Sequence, residues 1–285
     1  MVVVGGGISG LSTALELRRR AVDTLLLEAA TIGAGASGRA NGQVIPTLTR
    51  HDPQAVIKAY GAERGESFLC FLESSADRLF QAVETHDIDC DASRSGWLQP
   101  AHTLGRARAM ARRAEQWAAR GAPAEALDAE TMAARLGSEA YCGGWGLRSG
   151  GHVNPLAFTL GLARSASAHG ARIHEHSPVL RLTRSGDDWV VETPKARIRA
   201  RRVAVASAAH TGELWPGLSR SIVPVTSYQA ATEPLGEFAA RILPGDEAAS
   251  DTRMDLRYFR KDRDGRLVSG GALALQLLSA RRVPR

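Results

Sequence analysis

The stretch that decides the fold is residues 1–28, MVVVGGGISGLSTALELRRRAVDTLLLE. A short apolar strand at residues 1–4 leads into a glycine-rich turn, and the helical pattern that follows ends in three arginines at 18–20. Basic residues in the last turn of a helix suit the negative end of its dipole. A second apolar strand at 24–27 then ends in an acid. This order predicts a β-turn-α-β unit of the Rossmann type.

Each glycine of the turn, and the acid, has a specific physical role in such a unit. Gly5 permits the tight turn out of the strand, Gly7 lets the backbone approach a pyrophosphate, and Gly10 allows the helix to pack closely on the strand. The first helical turn, which includes Ser9, offers unpaired N–H groups to phosphates. Glu28 can accept both hydroxyls of an adenosine ribose, and it would repel a 2′-phosphate. The unit therefore predicts binding of a dinucleotide, either FAD or NAD.

A second glycine-rich segment, residues 31–43 with the sequence TIGAGASGRANGQ, bears on which dinucleotide is bound. Its Gly, Ser and Asn content predicts a loop without regular structure and with exposed backbone donors. An NAD-binding unit would normally continue directly into its next helix. A long loop of small residues suits a cofactor that extends further, as the flavin half of FAD does. The loop favours FAD, and an NAD-linked dehydrogenase stays the alternative.

Composition limits the other classes of protein. The 285 residues are enough for one large domain or two interleaved domains, and 44% hydrophobic with 23% charged residues is typical of a globular chain. No apolar run is long enough to predict a membrane span. The net charge of +6 is spread over short clusters, nearly all arginine, so no nucleic-acid partner is expected. Three widely spaced cysteines predict reduced thiols in a cytoplasmic protein, with no disulfide frame and no metal site.

Further along the chain, hydrophobic spacing and capping signals predict the remaining elements. Amphipathic patterns predict helices at 67–83 and 104–120, and Asn154 followed by Pro155 predicts the start of another helix that runs to 169. Strands are predicted at 172–175, 189–193, 196–200, 203–207, 256–260 and 266–269, the last two flanking the turn at Asp264 and Gly265.

Taken together, these segments resemble the FAD-dependent D-amino-acid oxidase superfamily and, within it, the γ-glutamylputrescine oxidoreductases. The resemblance extends in order from residue 2 to residue 271. It rests on residues 2–11, 33–43, 89–91, 96–98, 148–155, 177–179, 223–225, 231–235 and 251–271.

The resemblance implies an α/β (α+β overall) architecture in which a Rossmann-like FAD-binding domain is interleaved with an antiparallel-sheet substrate domain. The FAD-binding domain would comprise residues 1–86 and 150–220. The substrate domain would comprise residues 87–149 and 221–285.

The resemblance also implies roles for individual residues. Val179 would meet the adenine through its backbone, and Ala206 would lie near the pyrophosphate. Tyr258 and Arg260 are candidates for contact with substrate, although Arg260 is also expected to be solvated. The ribityl chain and flavin would run along Ser37, Gly38, Arg39, Asn41, Gly42 and Gln43.

The implied reaction is oxidation of a C–N bond in a small amine or amino acid. Hydride would pass to flavin N5, the imine would hydrolyse, and electrons would leave to oxygen or another acceptor. No acid–base residue is obligatory for this chemistry, and the catalytic residues stay unknown. His152 and His210 are candidates near the cleft.

The end of the chain departs from the family pattern. The resemblance implies further sequence after the strand at 266–271, including a Gly-rich turn beneath the flavin pyrimidine. We therefore expect a C-terminally truncated chain with an incomplete substrate domain and a weakened affinity for FAD. A non-catalytic nucleotide-binding remnant is accordingly a third hypothesis.

Overall fold

The computed structural model describes residues 1–275, and its first strands and helices follow the patterns read from the sequence. The strands are β1 (Val2–Val4), β2 (Leu25–Leu27), β3 (Gln43–Val44), β4 (Trp97–Pro100), β5 (Ala124–Leu127), β6 (Gly144–Leu147), β7 (Gly151–His152), β8 (Arg172–His174), β9 (Arg181–Ser185), β10 (Asp188–Glu192), β11 (Arg197–Ala200), β12 (Val203–Val205), β13 (Val225–Ala231), β14 (Ala248–Ser250), β15 (Tyr258–Lys261) and β16 (Leu267–Leu275). The α-helices are α1 (Ile8–Arg19), α2 (Ala36–Arg39), α3 (Pro53–Tyr60), α4 (Ala62–Glu73), α5 (Ser75–Thr85), α6 (Leu104–Ala118), α7 (Ala129–Leu136) and α8 (Pro155–Ala168).

A parallel sheet forms the Rossmann-like half of the fold. Its strand order is β12-β1-β2-β8, so strands separated by most of the chain lie side by side. Helix α1 connects β1 to β2, as a parallel crossover requires. Helix α8 begins as the capping signal predicts, because the Asn154 side chain accepts a hydrogen bond from the Ala157 N–H at 3.1 Å.

Helices α1 and α8 pack on the parallel sheet and bury its central strands. Leu11 of α1 and Leu26 of β2 have no exposed surface, and Phe158 and Leu162 of α8 belong to the same apolar cluster. Burial of an aliphatic side chain contributes roughly 1.5–3 kcal/mol, so this cluster holds the glycine turn on a rigid base.

A larger sheet of seven strands forms the second half. Its order is β13-β16-β15-β14-β4-β6-β5, and every pair is antiparallel except β14 with β4. Three buried tryptophans pack in one cluster against this sheet. Trp97 and Trp145 meet edge to face, with 5.6 Å between their ring centroids, and Trp117 of α6 is fully buried in the same cluster. The sheet thus combines strands from the middle and the end of the described chain.

Two smaller sheets complete the structure. Strands β9, β10 and β11 form an antiparallel meander, in which β10 and β11 correspond to the strands predicted at 189–193 and 196–200. Strands β3 and β7 pair antiparallel, with Gln43 opposite His152. Among residues 1–275, no helix is both long enough and apolar enough to cross a membrane.

Two predicted elements differ from the structure. The helix predicted at 67–83 is two helices, α4 and α5, which meet at Ser74. The segment 31–43, predicted to lack regular structure, contains the short helix α2 and the start of β3. The prediction was wrong because Ser37 and Asn41 form long-range contacts, described below, that hold this segment in a defined shape.

Candidate functional site

Gly5 and Gly10 of the turn at the end of β1 pack closely against neighbouring backbone. Gly5 has a φ of +112°, and a Cβ there would lie 2.6 Å from the carbonyl oxygen of Ala206. The Ala206 N–H in turn donates to the carbonyl of Val4 at 2.8 Å. A Cβ at Gly10 would overlap the Gly5 carbonyl, so α1 can approach β1 only because Gly10 lacks a side chain.

The N-terminus of α1 is open toward a ligand. Gly7 lies at the N-cap position and has no side chain to cap the helix, and the first turn, which includes Ser9, contains no acidic residue. A Cβ at Gly7 would lie 2.7 Å from the Ser37 hydroxyl oxygen. That hydroxyl accepts a hydrogen bond from the Ile8 N–H at 3.0 Å. No acidic side chain in the first turn of α1 itself therefore offsets the positive end of the helix dipole, which suits an anionic phosphate.

Glu28 lies at the carboxyl end of β2, directly beside this turn. Its Oε2 accepts a hydrogen bond from the Gly6 N–H at 2.6 Å, and its Oε1 accepts one from the Ala30 N–H at 2.9 Å. Each carboxylate oxygen retains a second lone pair. The backbone thus fixes the carboxylate at the end of β2, beside the glycine turn.

Val179 lies on the next segment of backbone. The N–H of Ser177 donates to the Glu28 carbonyl at 2.8 Å, which holds residues 177–179 against the end of β2. The Val179 side chain is half-buried and packs on the cluster that contains Val4 and Leu27. This placement brings Val179 to the same edge of the parallel sheet as Glu28.

The loop that carries Ser37 continues to the seven-stranded sheet. Arg39 and Asn41 both meet Gln229 of β13: the Gln229 side-chain amide donates to the Arg39 carbonyl at 2.7 Å, and the Asn41 amide donates to Gln229 Oε1 at 3.2 Å. Asn41 Oδ1 is buried and accepts no hydrogen bond from any residue within 1–275. A buried acceptor without a donor is costly, so this oxygen suits a polar group of a bound molecule.

Gln43 continues the same connection. Its amide nitrogen donates to the carbonyls of Ala249 and Phe259 at 2.8 and 3.2 Å, and its oxygen accepts from the Ser250 hydroxyl at 2.5 Å. The side chain of Gln43 is thus engaged with the sheet. Gly42, with a φ of +87°, backs onto the Val153 carbonyl, and Gly38 lies over Gly33.

The two substrate candidates on β15 differ in environment. Arg260 is only 4% exposed, so the expectation that it is solvated is wrong. Its Nε donates to the Asn41 carbonyl at 2.6 Å and its Nη1 to the Lys261 carbonyl at 3.0 Å, and burial lowers the pKa of its guanidinium. Tyr258 is half-buried, and its hydroxyl lies 2.5 Å from the Ser227 hydroxyl of β13. Arg260 therefore holds the loop through Asn41, whereas Tyr258 faces β13.

The two histidine candidates are not brought together. His152 is 4% exposed, and its Nε2 lies 3.0 Å from the Asp246 carbonyl and 3.3 Å from the Asp246 carboxylate. His152 Nδ1 is buried without a partner among the described residues. His210 is exposed, and its ring lies 3.8 Å from the position that a Cβ on Gly35 would take.

The Asp246 carboxylate also accepts a hydrogen bond from the Ser93 hydroxyl at 2.7 Å. Burial opposes its ionisation, but the hydrogen bonds from His152 and Ser93 outweigh burial and lower its pKa. Three segments distant in sequence meet here. Sequence reasoning missed Asp246 and Ser93, and also Gln229, because no local pattern marks a side chain whose partners lie on other strands.

The glycine turn, Glu28 and the loop at 33–43 fit FAD on the features just described. The α1 N-terminus, with glycine at its N-cap, lies beside the Glu28 carboxylate, and the loop contains the buried Asn41 amide oxygen, which accepts no hydrogen bond within residues 1–275. Among the described residues, no group of three or more His, Cys, Asp or Glu could hold a metal ion. Fold and site together define a Rossmann-type dinucleotide-binding protein.

Comparison with known proteins gives the family. Residues 1–281 match the family described as FAD dependent oxidoreductase, DAO, and the chain belongs to that family. FAD is the cofactor of this family, which sets aside the NAD-linked alternative. The chain is 33% identical over 273 residues to a probable oxidoreductase OrdL of Rhizobium meliloti, and 32% identical over 274 residues to the γ-glutamylputrescine oxidoreductase of Escherichia coli.

Both alignments cover 95% of this chain, but only 63% and 64% of those relatives. Solved structures agree on the fold. Glycine oxidase from Geobacillus kaustophilus superposes with a TM-score of 0.75 at 21% identity, covering 99% of this chain and 73% of that one. The L-proline dehydrogenase of P.horikoshii also gives 0.75, at 18% identity, with 95% and 69% covered. At these identities the likeness concerns the fold alone.

Proposed function

We propose that the chain binds FAD with its ADP half on the glycine turn. Gly5, Gly7, Ser9 and Gly10 would hold the pyrophosphate at the N-terminus of α1, with Ala206 beneath it. Glu28 would accept the ribose hydroxyls. The observation that carries this proposal is the fixed Glu28 carboxylate beside a helix N-terminus whose N-cap residue is glycine. Val179 would present its backbone to the adenine.

We propose that the flavin half runs along the loop at 37–43 toward the seven-stranded sheet. The hydrogen bonds from this loop to β13, β14 and β15 support the assignment, because they fix the loop at the junction of the two large sheets. The residues that would line this half are Ser37, Gly38, Arg39, Asn41, Gly42 and Gln43. The Asn41 amide oxygen accepts no hydrogen bond within the described residues, so it is the group best placed to accept one from the ribityl chain or the flavin ring.

The division into two interleaved domains, with 1–86 and 150–220 binding FAD and 87–149 and 221–285 binding substrate, is likewise a proposal. The composition of the two large sheets supports it, since the parallel sheet draws its strands from residues 2–27 and 172–205. Residues 276–285, which this division includes, lie outside the described part of the chain.

The proposed reaction is oxidation of a C–N bond in an amine or amino acid, with a γ-glutamylputrescine-like compound as the substrate. The 32% identical γ-glutamylputrescine oxidoreductase of Escherichia coli supports this class. Bound FAD would supply the acceptor for the hydride that leaves the carbon beside the amine. The chain would align that carbon, with Tyr258 near the substrate and Arg260 holding the loop in place. The electrons would leave to oxygen or another acceptor.

An anaerobic mixing experiment tests this proposal. The FAD-loaded protein is mixed with γ-glutamylputrescine and, separately, with putrescine, and flavin absorption is followed. We expect rapid bleaching with γ-glutamylputrescine and release of ammonia after reoxidation. A flavin that stays oxidised with every amine and amino acid offered would show that this chain does not carry out the reaction.

A further inference from the structure

A cavity of about 150 Å³ lies between α6, the loop after β3 and the loop after β14. Four arginines line it, Arg50, Arg106, Arg113 and Arg253, against a single acid, Asp251. So many cations around one small cavity repel one another unless anions offset them. The number of arginines that already pair with a carboxylate of the protein therefore decides whether the cavity can bind an anionic ligand.

Two of the four arginines already have anionic partners. Arg113 is buried, and its Nε pairs with the Asp52 carboxylate at 2.6 Å while its Nη1 donates to Gln99 Oε1 at 3.2 Å. Arg253 pairs with the fully buried carboxylate of Asp251. These two guanidiniums are held in place by other side chains and form a fixed wall.

The other two arginines have no carboxylate partner among residues 1–275. Arg50 donates only to Met254, through its carbonyl at 3.1 Å and its sulfur. Arg106 lies on the exposed side of α6, in the turn that Thr103 caps. Two guanidiniums without carboxylate partners therefore border a cavity whose other two arginines are ion-paired, which is the arrangement expected of a carboxylate-binding site.

The cavity adjoins the proposed flavin loop. Asp251, which lines the cavity, directly follows Ser250 in the chain, and the Ser250 hydroxyl donates to Gln43 Oε1 at 2.5 Å. Arg50 lies seven residues after Gln43, beyond the short strand β3. A ligand in the cavity would therefore lie beside the flavin half of the proposed site rather than beside the ADP half.

We propose that this cavity binds a carboxylate of the substrate, at a distance from the C–N bond that is oxidised. The inference rests on the proposed function and narrows the substrate class to amines that also carry a carboxylate. Arg50 and Arg106 would contact the carboxylate, and Arg113 would stabilise it from behind. A neutral or purely cationic amine would leave the two guanidiniums without partners.

Titration calorimetry with the full chain tests this without turnover. The probe is glutarate, its neutral control is glutaramide, and the variants are Arg50→Gln and Arg106→Gln. Arg108→Gln is the matched control, because Arg108 is an exposed arginine of the same helix that does not line the cavity. We expect glutarate to bind and glutaramide not to, and each cavity variant to weaken glutarate about tenfold, the loss of one charge-assisted hydrogen bond. Arg108→Gln should bind as the unaltered chain does.

Several results would overturn the proposal: equal binding of glutaramide, glutarate affinity unchanged in both cavity variants, or inorganic phosphate binding as tightly as glutarate, which would indicate a general anion site.

A second experiment offers the FAD-loaded chain 4-aminobutanoate and butylamine. Preferential bleaching by 4-aminobutanoate, with the preference lost in Arg50→Gln, supports the proposal. Bleaching by both amines alike contradicts it but leaves the proposed function standing. Glutarate binding without any bleaching contradicts the proposed function and leaves the cavity's ligand class standing.

Discussion

At the scale of single residues, Glu28 is the most direct test of the ADP half of the site. Glu28→Ala removes the proposed acceptor for the ribose hydroxyls and should weaken FAD and ADP alike by about 1.5–3 kcal/mol. Titration with each nucleotide measures the loss. Glu63→Ala, which removes an exposed acid from the first turn of α4, is the control and should change neither affinity. Unchanged nucleotide affinity in Glu28→Ala would show that this carboxylate only stabilises the backbone turn and does not bind the nucleotide.

Gly7 tests whether the backbone itself receives the pyrophosphate. In Gly7→Ala the new methyl group would lie 2.7 Å from the Ser37 hydroxyl and occupy the space in front of α1. We expect FAD binding to fall at least about tenfold while the fold persists. Gly105→Ala is the matched control, because a Cβ there meets no atom within 4 Å and alanine favours a helix. Equal FAD affinity in both variants would contradict the placement.

Cys90 should be the slowest of the three thiols to react. Burial, together with the neighbouring charges of Asp91 and Asp89, raises its pKa to about 11, so the reactive thiolate is scarce near neutral pH. Cys90 is also 1% exposed, whereas Cys70 is exposed. With a thiol reagent at about pH 8, Cys70 should react first and Cys90 only on unfolding, as peptide mapping would show. Early labelling of Cys90 would mean that its cluster opens readily.

At the scale of elements, the contact of Asp246 with His152 and Ser93 joins β7 to the segment before β14. Because the pKa of Asp246 is lowered, its ionised form stabilises the fold above the ordinary carboxyl pKa of 3.8, and this stability is lost as pH falls through the lowered value. Asp246→Asn should therefore unfold at lower denaturant than the unaltered chain at neutral pH, and the difference should shrink in acid. Asparagine tolerates the positive φ of this position.

Denaturant titrations between about pH 7 and pH 3 measure that difference. Asp187→Asn, an exposed aspartate in the turn between β9 and β10, is the control and should show no such dependence. A difference for Asp246→Asn that stays constant down to the lowest pH would show that its ionisation does not stabilise this contact.

The elements near the start of the chain could be predicted from sequence because their signals are local. The strand, turn and helix of residues 1–19 follow from apolar spacing and three glycines, and the start of α8 follows from Asn154 and Pro155. The break at Ser74 could not, since the apolar spacing continues across it and only the turn of the chain between α4 and α5 reveals it. Helix α2 was missed because tertiary hydrogen bonds, rather than residue propensity, stabilise it.

At the scale of the whole molecule, the glycines and Glu28 could be assigned a role from sequence alone because one short unit contains them all. The arginine-lined cavity could not be predicted, because Arg50, Arg106 and Arg253 are separated by more than fifty residues at each step. Their meeting depends on the pairing of β14 with β4, the one parallel pair of the seven-stranded sheet. Contacts of that kind leave no periodic pattern in the sequence.

The measurement that tests the central claim most directly is a titration of the purified chain with FAD and, in parallel, with NAD⁺. Quenching of flavin fluorescence and calorimetry report the two affinities. A chain that receives ADP on the glycine turn and flavin on the loop at 37–43 should bind FAD at least about a hundredfold more tightly than NAD⁺, and Gly7→Ala should abolish much of that binding. Equal or tighter binding of NAD⁺, or FAD binding that Gly7→Ala leaves intact, would contradict the account.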